Sequence, residues 1–359
     1  MNIVFTSFGG RYSDSPRALY EALVAAGRAD GVRWLVDPRH ADGFPADVRA
    51  GRAVPATGVE ARVALEAADM VVSNTHIDLD WDKRPGAFYL QTWHGTPLKH
   101  IHFDSIWDPT GRVAELTVDV RRWDALLSPN AASTPRLRKA FGFTGDLAET
   151  GYPRNDVLTS PHRHSIRARV RRDLGIAEDA PVVLYTPTYR DTHQTATGEQ
   201  DFALHLDLAD FTARLPGHQL LLRLHYMLSD KLGPVDAPGV HDVSFHPDVS
   251  ELYLAADAMV TDYSSTMFDF AVTGKPLVFF TYDLEHYRDQ TRGFYFDPVP
   301  DAPGPHVRTS AEVVDALAGL HGVQQRYATA YQRFRDTYCS LEDGHSTDRV
   351  LDRFLSGCP

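Results

Sequence analysis

Short apolar runs recur along the first half of the chain, and those at 2–5, 32–36, 70–73, 88–92 and 125–128 each read as a strand followed by a loop. Gly9-Gly10 punctuates the turn after the first run, and Ser15-Pro16 marks a cap and first turn for a helix to Ala26. The second half repeats the rhythm with runs at 182–185, 219–224, 258–261 and 277–280, and helical stretches at 249–256 and 265–272 lie between them. Strand then helix, repeated, is what a parallel sheet with crossover helices requires. Gly151-Tyr152-Pro153, followed by the basic stretch 162–172, reads as the passage from one unit to the next. The expected architecture is α/β, with two doubly wound Rossmann-like domains facing each other across a cleft. Residues 1–155 form the first domain, 156–335 the second, and 336–359 a closing helix that packs back on the first.

Composition narrows the chemistry. The 359 residues carry 36 basic and 48 acidic side chains, a net charge of −12, which repels phosphate polymers and argues against a general nucleic-acid partner. Two cysteines, Cys339 and Cys358, exclude a disulfide framework or a cysteine metal cluster. No apolar run approaches the roughly 18 residues that span a bilayer, and Met1 to Phe5 is too short for a signal peptide. A cytoplasmic protein is expected. Arg163, Arg167, Arg169, Arg171 and Arg172 offer a basic patch for the inner membrane face, although a solvated helix face diluted by Asp173 is the plainer reading.

In doubly wound sheets ligands bind beyond the carboxyl ends of the strands, so those loops carry the candidate chemistry. Gln91-Thr92-Trp93-His94-Gly95-Thr96-Pro97-Leu98-Lys99 puts a histidine and a glycine at a strand end, as a base or as a loop tie. Leu222-Arg223-Leu224-His225-Tyr226 places Arg223 and His225 on one face, a pair suited to an anionic oxygen. Thr261-Asp262-Tyr263-Ser264-Ser265-Thr266 enters the helix carrying Asp269, where an anion site and a simple helix cap are both open. Tyr185 to Arg190 and Glu149 to Asp156 add Pro187, Thr188, Arg190 and Arg154. There is no dinucleotide fingerprint, no phosphate-loop lysine motif and no metal-ligand pair. The inventory fits a nucleotide diphosphate held by fixed cations without a metal.

Together with Tyr12-Ser13-Asp14-Ser15-Pro16, Tyr282-Asp283-Leu284-Glu285, Tyr287-Arg288 and Arg292-Gly293-Phe294-Tyr295-Phe296-Asp297, these loops occur in one order from residue 12 to 297. In that order they resemble the CDP-glycerol glycerophosphotransferase family, the teichoic-acid primases and polymerases of Gram-positive bacteria. The resemblance implies a GT-B fold and transfer of glycerol phosphate, or a related alditol phosphate, from a CDP-alditol to a hydroxyl of a lipid-linked or polymeric acceptor. CMP leaves and no cofactor is required. It implies His94 as base and His225 as a second catalytic group. It also implies that Trp93, Gly95, Thr96 and Pro97 line the site, while Arg154, Pro187, Thr188, Arg223, Leu224, Ser264, Ser265 and Asp269 hold the donor. Family polymerases carry an additional N-terminal membrane-associating region, and this chain opens on its first strand, so single addition is expected over long-polymer synthesis. A nucleotide-sugar glycosyltransferase or epimerase, or a non-catalytic binding module, are the rival readings.

Overall fold

The computed structural model describes residues 1–105, 111–188, 204–224 and 237–356. Its first sheet is built from β1 (Ile3–Thr6), β2 (Val32–Val36), β3 (Ala53–Pro55), β4 (Met70–Ser73), β5 (Phe88–Gln91), β6 (Ala125–Ser128) and β7 (Asp146–Glu149), all parallel, in the order β3-β2-β1-β4-β5-β6-β7. The second comprises β8 (Val182–Thr186), β9 (Gln219–Leu222), β10 (Val240–Asp242), β11 (Ala258–Thr261), β12 (Leu277–Phe280) and β13 (His306–Val307), also parallel, ordered β10-β9-β8-β11-β12-β13. Strand order reverses between β1 and β4 in one sheet and between β8 and β11 in the other. These are the switch points where doubly wound sheets open a crevice.

The central strands are apolar throughout because both faces are covered. Alternate side chains point to opposite faces. Ile3, Phe5, Met70, Val72, Ala125 and Leu127 enter one core layer, while Val4, Val71 and Leu126 enter the layer on the other side. The second sheet divides the same way, with Leu184, Met259 and Phe279 on one face and Tyr185, Val260 and Phe280 on the other. The strands absent from the sequence reading are β3, β7, β10 and β13. They are short, lie toward the sheet margins and carry half-buried or exposed residues, so no apolar run marks them.

The basic stretch is only in part a solvated face: Arg163 and Arg172 are exposed, while its other arginines are packed. In the Arg163–Asp173 helix, Arg171 is 1% exposed; its Nε donates to the Ala255 carbonyl (3.0 Å), and it pairs with Asp257 at 2.7 Å. Arg167 donates to the Leu254 and Ala255 carbonyls at 3.2 and 3.0 Å, and Lys275 Nζ to those of Tyr253 and Leu254 at 2.9 Å. The last carbonyls of the Val249–Ala255 helix lack intrahelical partners, and three cations satisfy them. Arg169 is held by Glu251 at 2.7 Å. Of the five arginines offered for membrane contact, three are consumed in packing.

After the long Leu320–Tyr338 helix, which sets Phe334 against the second sheet's core, the chain returns to the first sheet. Val350 and Leu355 are buried in the layer that holds Ile3 and Phe5. Among the described residues no helix is long and apolar enough to cross a membrane.

Candidate active site

His94 stands three residues beyond β5. Gln91 ends that strand and folds its side chain into the turn: Nε2 donates to the Thr75 carbonyl (3.0 Å) and Oε1 accepts from the Trp93 amide (2.9 Å). Trp93 is forced to φ +54°, a left-handed conformation costly for a bulky residue. The imidazole that follows has Nδ1 2.6 Å from the Asn74 carbonyl at the end of β4. A carbonyl only accepts, so Nδ1 carries the proton and Nε2 keeps its lone pair. Burial lowers the His94 pKa; the Asn74 hydrogen bond and Asp14 pull it up, and Arg154 and Lys99 push it down. The net direction keeps the ring neutral, as a base must be.

Gly95 is where the two sheets meet. A Cβ built there would lie 2.8 Å from Ser265 Oγ, so only glycine lets the β5 loop approach the β11 loop this closely. The Gly95 carbonyl accepts from Tyr152 Oη at 3.2 Å, Thr96 is buried, and the Pro97 carbonyl accepts from Arg136 at 3.5 Å. Just downstream, Lys99 bridges antiparallel to Phe294, with the Tyr295 amide donating to the Leu98 carbonyl at 2.8 Å. The loop carrying His94 is thus strapped to the second half of the chain on both sides.

Arg154 and Asp269, both expected to hold the donor, are bound to each other in this structure. Arg154 Nη2 lies 3.1 and 3.0 Å from the Asp269 oxygens, and Nη1 is 3.3 Å from Asp14 Oδ2. The guanidinium stacks 4.2 Å from the Tyr152 ring centroid, and Asn155 Nδ2 donates to Asp269 at 2.9 Å. Burial alone would depress Arg154, but Asp14 and Asp269 more than offset it and hold it protonated. A cation whose two amino groups are already committed to carboxylates is a poor first contact for a diphosphate. The cluster joins the first helix, the domain junction and the Thr266–Val272 helix. Asp14 itself sits at φ +61°. Arg17 extends the junction with an ion pair to Asp248 at 3.1 Å.

The donor-side loops divide between tied and open groups. Asp262 accepts from the Thr188 amide at 2.9 Å and hydroxyl at 2.6 Å, so it clamps the β8 loop, with Pro187 and Thr188, to the β11 loop. The Ser264 and Ser265 amides find no acceptor among the described residues. Arg223, at the end of β9, donates from Nη1 to the carbonyls of Val243 and His246 at 3.2 and 2.8 Å. Burial lowers its pKa, only partly offset by Tyr253 and Asp248. A buried guanidinium of this kind is short of negative charge. The Leu224 side chain is in the core beneath, and its amide donates to Ser244 Oγ at 3.0 Å. His225 and Arg190 lie outside the described residues. No three of His, Cys, Asp and Glu converge as a metal site among the described residues.

Sequence reasoning singled out no role for Asn74, which fixes the His94 tautomer, or for Asp262 and Tyr152. Asn74 has a signal after the fact, since it is the polar residue directly beyond β4 at the switch point.

The family description CDP-Glycerol:Poly(glycerophosphate) glycerophosphotransferase matches residues 1–356. The chain is 37% identical to a teichoic acid glycerol-phosphate transferase of Staphylococcus aureus, over 97% of this chain and 91% of that protein. It is 35% identical to a teichoic acid poly(glycerol phosphate) polymerase of Bacillus subtilis over 98% of its own length, and spans about half of that relative, 48%. A structure of the wall teichoic acid polymerase TagF, a variant soaked with CDPG, superposes with a TM-score of 0.89 at 34% identity, covering 99% of this chain and 88% of that one. Two doubly wound sheets meeting at their switch points, in the GT-B-like manner, and a match over nearly the whole length agree: this chain belongs to the CDP-glycerol:poly(glycerophosphate) glycerophosphotransferase family.

Proposed function

We propose that the chain transfers glycerol phosphate from CDP-glycerol to a hydroxyl of a teichoic-acid-type acceptor and releases CMP. The acceptor oxygen attacks the phosphorus that bears glycerol. The new O–P bond forms as the bond to the bridging oxygen breaks, and that electron pair leaves with CMP. His94 Nε2 takes the hydroxyl proton. One observation carries this role above the rest: the 2.6 Å contact of Nδ1 with the Asn74 carbonyl, which leaves Nε2 as the lone-pair nitrogen.

Arg223 and the backbone amides of Ser264 and Ser265 supply preorganised positive charge for the diphosphate, the main requirement of phosphoryl transfer. His225 is proposed to act beside Arg223, and Trp93, Thr96 and Pro97 to shape the acceptor side. Thr188 and Pro187 contribute through the Asp262 clamp, and Arg154 and Asp269 by fixing the junction. No bound metal or cofactor is proposed, so chelation with EDTA leaves the rate unchanged. The reaction is set at the cytoplasmic face of the membrane, where a lipid-linked acceptor is presented.

A nucleotide panel tests the donor. Stabilisation of the purified chain by CDP-glycerol and CMP, with CMP released when acceptor is added, is the expected result. Stabilisation by UDP but not by CMP assigns the site to a nucleotide sugar instead.

A further inference from the structure

Phe8 is the feature that the reaction just described leaves unused. It lies directly beyond β1, at the switch point, with φ +45°. Left-handed backbone at a bulky residue is rare and unfavourable, and such strain collects where function needs it. The side chain is also 42% exposed, so burial does not recompense the strain. Its ring centroid is 5.3 Å from that of His94, edge-on at 61°. One residue ties this turn to the base: the Phe8 amide donates to Asn74 Oδ1 at 2.9 Å, and the carbonyl of the same Asn74 accepts from His94 Nδ1. Asn74 therefore sets the ring and the base relative to each other. A packing wall for the imidazole does not require Phe8, because Trp93, 9% exposed, already packs against His94 with ring centroids 4.2 Å apart and planes tilted by 36°.

An attacking hydroxyl must come within about 3 Å of Nε2. The carbon atoms bearing it then fall within reach of the exposed aromatic ring. Resting on the function proposed above, we infer that Phe8 is an acceptor-contact residue: its ring receives the C–H face of the acceptor's terminal polyol unit while the neighbouring hydroxyl is presented to His94. An apolar face suits the carbon skeleton of a polyol, and the phosphate that follows it in the acceptor extends away from the ring. Donor binding is independent of this contact, since the diphosphate groups lie on the loops of the second sheet.

The test is steady-state CMP release by the full chain, with CDP-glycerol and a lipid-linked acceptor ending in glycerol phosphate. Phe8→Ala is expected to raise the KM for acceptor by about tenfold, the scale of a lost aromatic contact, with kcat and the KM for CDP-glycerol unchanged. Phe8→Tyr restores the acceptor KM, and Phe8→Leu, which keeps bulk without an aromatic face, does not. Calorimetric binding of the acceptor to the CMP-loaded chain, alongside a melting curve for each variant, gives the same ranking without turnover. An acceptor KM unmoved in Phe8→Ala, or a parallel rise in the KM for CDP-glycerol, overturns the inference and leaves the function standing. Absence of CMP release by the wild type overturns the function, and the inference with it.

Discussion

His94 can serve as the proposed base only with its proton on the other nitrogen, and a single backbone carbonyl decides that. Burial then lowers its pKa below the ordinary histidine value. For a base the neutral ring is the working form, so kcat/KM is expected to be full above that pKa and to fall as pH drops through it. The acid limb of the pH–rate profile is expected below pH ~6.5, measurable as CMP release against pH. Arg154 makes a different prediction. Arg154→Leu leaves Asp14 and Asp269 buried without a counter-charge, and breaking a buried pair of this kind costs roughly 3–5 kcal/mol. Urea unfolding is expected to show that loss, whereas a direct donor contact would show mainly as a raised KM for CDP-glycerol in a stable protein.

At the scale of elements, the strand-end loops determine what can touch what. Gly95→Ala adds a methyl group against Ser265 Oγ, and overpacking of a close contact costs typically 1–3 kcal/mol. The lobes are expected to part slightly, with CMP release falling by about tenfold or more while the circular dichroism spectrum is unchanged. Central strands and the His94 loop were readable in the sequence because a continuous apolar run and a following Gly state their position locally. The margin strand Asp146–Glu149 was not, since it alternates no apolar face. Nor was the ion-pair cluster around Arg154. Its partners Asp14 and Asp269 lie 140 and 115 residues away in the chain, and only the folded topology brings them together. The arginine-rich helix misled for a related reason. Its cations cap another helix's carbonyls, and nothing in a run of like charges announces a distant C-terminus that needs them.

Across the whole molecule, the acidic chain concentrates its charge conflicts at the junction, where the returning C-terminal segment is anchored. Glu342 is buried there, with Oε1 accepting from the Tyr152 amide at 3.1 Å. Its Oε2 is buried without a hydrogen-bond partner among the described residues. Burial raises the Glu342 pKa to about 8, which favours the protonated carboxyl. A raised carboxyl pKa means that the contribution to stability is full below the unfolded value, near 4.5, and is lost as pH rises towards 8. Glu342→Gln keeps a donor at every pH. The melting temperature of Glu342→Gln is therefore expected to match wild type near pH 5 and to exceed it at pH 8. A wild-type curve flat across that range contradicts this view of the junction.

The central claim is that His94 is the base for transfer from CDP-glycerol. Its most direct measurement is the rate of CMP release, with saturating CDP-glycerol and acceptor, from the wild type and from His94→Gln at matched folding. Loss of a general base of this kind lowers the rate by about 10²- to 10⁴-fold, and the variant is expected to bind CDP-glycerol as tightly as the wild type. Near-normal turnover by folded His94→Gln would contradict the account.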